Sequence, residues 1–141
     1  MRRTEVLIDT AFAIALLNVD DEHHVAAVTL GTQLRNQVRL VLTRPVCLEI
    51  GNAMSDPRRR AQTARFLAGM AADPNVEILP WSESVYSQAL ALFRSRPDKA
   101  WSLTDCTSFV VMRDRGITDA LTTDNHFRQA GFQPLLRPAA N

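Results

Sequence analysis

The chain has little cysteine, almost no lysine and no long apolar run, and each shortage closes off a class of protein. Only Cys47 and Cys106 are present. They lie far apart in apolar helical contexts, without C-x-x-C or zinc spacing, so neither a disulfide scaffold nor a structural zinc module is expected. Reduced, buried thiols and a cytoplasmic location are expected instead. No stretch approaches the ~20 apolar residues that cross a bilayer. Met1-Arg2-Arg3 is followed by only a few apolar residues before Asp9, so a secretory signal is not expected. Lys99 is the only lysine among 16 basic residues, and the net charge is +1. Arginine suits bidentate phosphate contacts, but a GC-rich coding sequence produces the same bias, and the charge balance does not call for a nucleic-acid partner. Repeats, low-complexity tracts and linkers are absent, so a single domain over residues 1–141 is expected, with a frayed tail over 137–141.

What is present is a soluble-type composition, 46% hydrophobic and 22% charged, arranged in alternating periods. Short apolar runs at Glu5 to Ile8, Leu40 to Thr43, Val76 to Leu79 and Ala120 to Thr123 read as strands, with a short edge strand between Gly131 and Leu136. Helix-period stretches fill the gaps. The first, Ala11 to Leu17, is apolar nearly all round. The second carries Ala27, Leu30, Gly31, Leu34 and Val38 on one face, with Asp20 or Asp21 as cap and His23 and His24 solvated in its first turn. Pro45 opens a helix through Met54. Asp56-Pro57 opens another, lined by Thr63, Phe66, Leu67, Met70 and Ala71, with Arg58, Arg59 and Arg60 exposed at its start. Ser82 caps a helix with Val85, Ala89, Leu92 and Phe93 inward, and the last long helix runs from near Thr104 to Gly116. Trp81 and Trp101 read as core or rim aromatics. Strand-helix alternation of this kind predicts an α/β fold with a central, mainly parallel sheet of four to five strands.

Against that pattern four acids stand out: Asp9, Glu49, Asp105 and Asp124. Asp9 divides a strand from an apolar helix, and Asp124 follows the fourth strand. Asp105 falls in the first turn of the helix before that strand. Glu49 lies inside the helix after the second strand, with Asn52 one turn on. A carboxylate in apolar surroundings must neutralise, pair with a cation or bind a metal. In an open α/β sheet the carboxyl ends of the strands form the ligand crevice, and four acids meeting there would need Mg2+ or Mn2+, the ions that hard oxygen donors select. Such a site suits hydrolysis of a phosphodiester or phosphate ester without a covalent nucleophile. Each acid also has a purely structural reading: Ser102-x-x-Asp105 is a capping box, Asp124-Asn125 a turn, and Glu49 a solvated helix residue. His126 could reach the cleft, though inward packing of Phe127 accounts for its segment equally well.

These residues resemble the PIN-domain ribonucleases, particularly the VapC-type toxins of toxin-antitoxin systems. Leu7-Ile8-Asp9-Thr10, Glu49 with Asn52, Trp101-Ser102-Leu103-Thr104-Asp105-Cys106 and Leu121-Thr122-Thr123-Asp124-Asn125-His126-Phe127 resemble the four family motifs in order. Ala100 departs from them, standing where many relatives carry an acid. The resemblance implies a three-layer α/β/α fold, Mg2+- or Mn2+-dependent cleavage of RNA, a homodimer, and inhibition by a small antitoxin. It also implies that Asp9 and Asp105 are the principal metal ligands, completed by Asp124 and Glu49. The antitoxin is expected to insert an arginine among the acids and to cover a groove formed by Met54, Phe66 and Met70, rimmed by Arg58 to Arg60. A non-cleaving PIN module that binds RNA or protein, and a housekeeping RNA-processing nuclease without an antitoxin, are the alternatives. A haloacid-dehalogenase-type phosphatase is disfavoured by Ala11, where a second aspartate belongs. A phosphoacceptor receiver is disfavoured because Lys99 precedes the third motif instead of following a late strand.

Overall fold

A computed structural model of the chain describes residues 3–136; the tail expected over 137–141 lies outside them. The order of elements is β1 (Glu5–Ile8), α1 (Thr10–Leu17), α2 (His24–Leu34), β2 (Arg39–Thr43), α3 (Arg44–Ala53), α4 (Arg60–Ala72), β3 (Val76–Leu79), α5 (Glu83–Ser95), α6 (Leu103–Arg115), β4 (Asp119–Leu121), α7 (Asn125–Gln129) and β5 (Gln133–Pro134). The strands form one five-stranded sheet in the order β3-β2-β1-β4-β5, and all four pairings are parallel.

Period-two alternation along buried strands separates the core into two layers. Val6, Ile8, Leu42 and Leu121 face one side, where they meet α1 through Phe12 and Ala13, α3 through Val46 and Ile50, and the inner face of α4. Leu7, Val41 and Ala120 face the other side, against Phe109, Val110 and Met112 of α6, Ala89 of α5 and Phe127 of α7. Helices therefore cover both faces, giving the α/β/α sandwich that parallel strands require. Phe109 stands edge-on to both Trp101 and Phe127, with ring centroids 5.1 and 5.0 Å apart. Phe127 is fully buried, so it anchors the short α7 to the core. Phe127→Ala should cost about 3–5 kcal/mol of stability, measurable by chemical denaturation.

Several local expectations are corrected. Helix α2 ends at Leu34, and Asn36 at φ 63° turns the chain, so Val38 leads into β2 instead of extending the helical stripe. Neither Asp20 nor Asp21 caps α2; the Asp21 carboxylate accepts the His23 N–H at 2.8 Å in the preceding turn. His24 is half-buried, its Nδ1 2.7 Å from the Ala15 carbonyl oxygen, and is not simply solvated. Ala71 and Phe93 face solvent because each lies one position, about 100° round the helix, beyond the stripe that packs inward. Met54 is 3% exposed: the core has taken it, so it cannot line an outward groove, and Phe66 and Met70 pack against the same cluster. The cysteines are unpaired, Cys106 buried and Cys47 only half-buried. Trp101 is buried with its Nε1 donating to Gln129 Oε1 at 3.0 Å, whereas Trp81 is exposed. Arg58 and Arg60 are exposed as expected, whereas Arg59 is half-buried and pairs with Asp56 at 3.2 Å. Among the described residues no helix is long and apolar enough to cross a membrane.

Candidate active site

Strand order reverses at β1, since β2 lies to one side of it and β4 to the other. The crevice at the carboxyl ends of these strands is the topological switch point, where open α/β sheets bind ligands. Asp9 leaves β1 there, its backbone N–H donating to the Leu121 carbonyl at 3.2 Å and tying it to the end of β4. Thr122, fully buried, joins the two acidic segments: its hydroxyl donates to Asp9 Oδ2 at 2.8 Å and accepts the Asp124 N–H at 2.9 Å. Asp105 arrives from α6.

The structural and functional readings of the acids turn out to be compatible. Asp105 completes the capping box, with its N–H donating to Ser102 Oγ at 2.9 Å and its Oδ2 accepting the Ser102 N–H at 3.0 Å. Asp124 caps α7 by accepting the His126 N–H at 2.8 Å. A carboxylate has about four lone-pair positions, so a backbone N–H occupies one and fixes the group while the remainder face the cleft. Capping holds these acids in place.

Donor atoms of Asp105, Asp124 and His126 lie within 4.8 Å of one another. His126 Nδ1 is 3.0 Å from Asp105 Oδ2 and 3.3 Å from Asp124 Oδ1. Asp9 sits deeper, 4% exposed. Burial, reinforced by the charges of Asp105 and Asp124, raises its pKa to about 7, against the opposing hydrogen bond from Thr122. Burial likewise raises Asp105, with Asp124 adding to the effect and the Ser102 N–H and His126 opposing it. Thr122→Val removes the hydroxyl that lowers the Asp9 pKa and orphans the Asp124 N–H. Asp9 should then titrate above the wild-type value in an NMR carboxyl titration, with a stability loss of about 1–3 kcal/mol.

Glu49, like Asp9, lies outside the set of donors that fall within 4.8 Å of one another. It is half-buried on α3 and lines an adjoining groove with Asn52, Leu103 and Thr104, so it flanks the first turn of α6 next to Asp105. Thr122 was legible only as a flank of its motif; a polar residue continuing an apolar strand is the signal that marks it. His126 joins the acids while Phe127 packs inward, so both readings of that segment hold.

The donor set fits a hard divalent cation. Among the described residues no lysine or arginine pairs with Asp9, Asp105 or Asp124, and the only ion-pair partner of any of them is His126. Three carboxylates, two of them largely buried, are thus left short of positive charge, and the adjacent Thr10 hydroxyl is buried without a hydrogen-bond partner. That is the deficit a cation with oxygen ligands removes.

The chain is similar to the 23S rRNA-specific endonuclease VapC20 of Mycobacterium tuberculosis, at 28% identity over 127 residues, covering 90% of this chain and 95% of that protein. The crystal structure of VapC20, described as a sarcin-ricin loop cleaving toxin, matches with a TM-score of 0.79 at 26% identity, covering 90% of this chain and 95% of that one. The structure of VapBC2 from Rickettsia felis, bound to a DNA fragment from its promoter, matches with a TM-score of 0.69 over 93% of this chain and 96% of that one. Its 12% identity makes this a likeness of fold alone. The PIN domain model matches residues 6–133, a span that runs from β1 into β5 and contains every acid of the cleft, and the chain belongs to the PIN domain family.

Proposed function

We propose that the protein is a metal-dependent endoribonuclease and the toxin of a toxin-antitoxin pair. The observation that carries this reading is the cluster of Asp105, Asp124 and His126 at the switch point, with Asp9 close enough to feel the charges of both acids and no lysine or arginine among the described residues to pair with any of the three carboxylates. Asp9, Asp105 and Asp124 would hold Mg2+ or Mn2+, with Glu49 contributing from the groove wall. The ion would supply activation of a water and stabilisation of charge on the leaving oxygen.

The chain's own residues do the rest. Thr122 orients Asp9 through its hydroxyl, the Ser102 N–H holds Asp105, and the His126 N–H holds Asp124. Asp124, with a side chain 30% exposed, would orient the attacking water by accepting its hydrogen bond. No covalent nucleophile is required. By likeness to VapC20, the substrate class is a structured RNA loop such as one in ribosomal RNA, cut in the cytoplasm. A homodimer would cover the exposed Leu48 and Trp81 beside the Glu49 groove. A small antitoxin would neutralise the acids with an arginine, whose guanidinium can satisfy two carboxylate oxygens at once.

The test is cleavage of a ribosomal RNA fragment by purified protein. Cutting is expected with Mg2+ or Mn2+ and is expected to disappear in excess EDTA. Equal cutting in EDTA would remove the mechanism. Specific RNA binding without turnover in either metal would leave a non-cleaving PIN module.

A further inference from the structure

We propose that His126 is a nitrogen donor to the ion shared by Asp105 and Asp124, and that it tilts this site toward Mn2+ over Mg2+. The inference rests on the metal-dependent reading above and deepens it. His126 was not needed for that reading, which uses carboxylates alone.

Geometry carries the assignment. In an octahedral shell with bonds of ~2.1 Å, adjacent donors stand about 3.0 Å apart. The Nδ1 atom of His126 is 3.0 Å from Asp105 Oδ2 and 3.3 Å from Asp124 Oδ1, so it stands to both oxygens as one neighbouring ligand stands to another. Both oxygens are already fixed by backbone donors, Ser102 N–H for one and His126 N–H for the other. With the imidazole proton on Nε2, Nδ1 offers its lone pair to an ion, which replaces the hydrogen bond between Nδ1 and Asp105 Oδ2 and leaves each oxygen a further lone pair for the same ion.

The imidazole is also held in place. It is the second residue of α7, whose first turn Asp124 caps, and the next residue, Phe127, is locked in the aromatic cluster, so the ring is directed at the acids by a rigid segment. An imidazole nitrogen is a softer donor than a carboxylate. Among ions that accept octahedral oxygen sites, it favours Mn2+, whereas Mg2+ gains little from replacing water by nitrogen.

Mn2+ electron spin-echo spectroscopy on the purified protein reads the donor atom directly. Bound Mn2+ should show coupling to a nitrogen-14 nucleus in wild type and lose it in His126→Asn. Calorimetry should show Mn2+ affinity about tenfold or more weaker in that variant, with a smaller change for Mg2+. His126→Asp, which returns an oxygen donor, should bind Mn2+ without nitrogen coupling and shift the preference toward Mg2+; a thermal melt of each variant establishes that it is folded. Mn2+ bound without nitrogen coupling in wild type, or coupling that survives in His126→Asn, overturns the role of His126 and leaves the metal reading standing. No Mn2+ or Mg2+ binding to wild type overturns both.

Discussion

Replacing Asp9 by asparagine is expected to raise the melting temperature of the metal-free protein by roughly 10 °C above neutral pH and to change it little near pH 4. The cause is burial. In the folded chain the Asp9 carboxyl keeps its proton up to about 7, whereas the ordinary value of 3.8 applies once the chain unfolds. Below the unfolded value both states are protonated and Asp9 costs nothing. As pH rises the unfolded state releases its proton first, so folding stability falls across the window from about 4 to about 7 and then levels off. The accumulated penalty reaches about 4 kcal/mol. Asparagine cannot ionise, yet its side-chain oxygen can still accept the Thr122 hydroxyl, so the variant escapes the penalty and keeps the contact.

Acid loss elsewhere does not blur this comparison. Asp56, Glu77 and Asp98 have pKa values held down, chiefly by hydrogen bonds from the backbone of Arg58, from Arg115 and from Arg96 respectively. They weaken both proteins alike as pH falls. Adding Mn2+ should reverse the ranking, because an ion that binds the ionised wild-type site stabilises only the folded state and finds one ligand charge fewer in the variant. Melting curves at pH 4 and 8, with and without Mn2+, decide the matter. A metal-free variant no more stable than wild type at pH 8 would show that Asp9 is not strained by its surroundings.

Asp105→Asn is expected to lower RNA cleavage by about a thousandfold or more while the protein stays folded. Asparagine can still accept the Ser102 N–H through its side-chain oxygen, so the capping box and the start of α6 should persist. What it loses is a charge and a strong ligand in the cleft, worth several kcal/mol where charge develops in the transition state. In cells, growth arrest on expression of the wild-type chain should be absent with Asp105→Asn and relieved by the product of an adjacent antitoxin gene. A folded Asp105→Asn protein with full activity in vitro would remove the site assignment. A wild-type chain that cuts RNA but is harmless in cells would leave the nuclease and replace the toxin by a housekeeping enzyme.

Glu49 and Asp9 show why some of the site was readable along the chain and some was not. Asp9 interrupts an apolar strand-helix junction, and a charge in such a position has few physical explanations, so its burial follows from local sequence. Glu49 sits in an amphipathic helix whose polar positions all look alike. Its relation to the acids depends on how α3 lies beside α6, and no periodicity encodes that placement. Phe93 and Ala71 fail in the same way: helical spacing marks a stripe, but the neighbouring layer decides how wide a stripe is covered.

By itself, the sequence determined the alternation of strands and helices, the parallel sheet, and the acids at Asp9, Asp105 and Asp124, because hydrophobic period and unpartnered charge are local properties. Tertiary structure alone decided that Thr122 bridges two of these acids, that His126 faces the third, and that Met54 belongs to the core. Those facts depend on β4 lying beside β1 and on which face of each helix meets its neighbour. Contacts between residues more than a hundred positions apart, such as Thr122 with Asp9, come into being only when the sheet assembles.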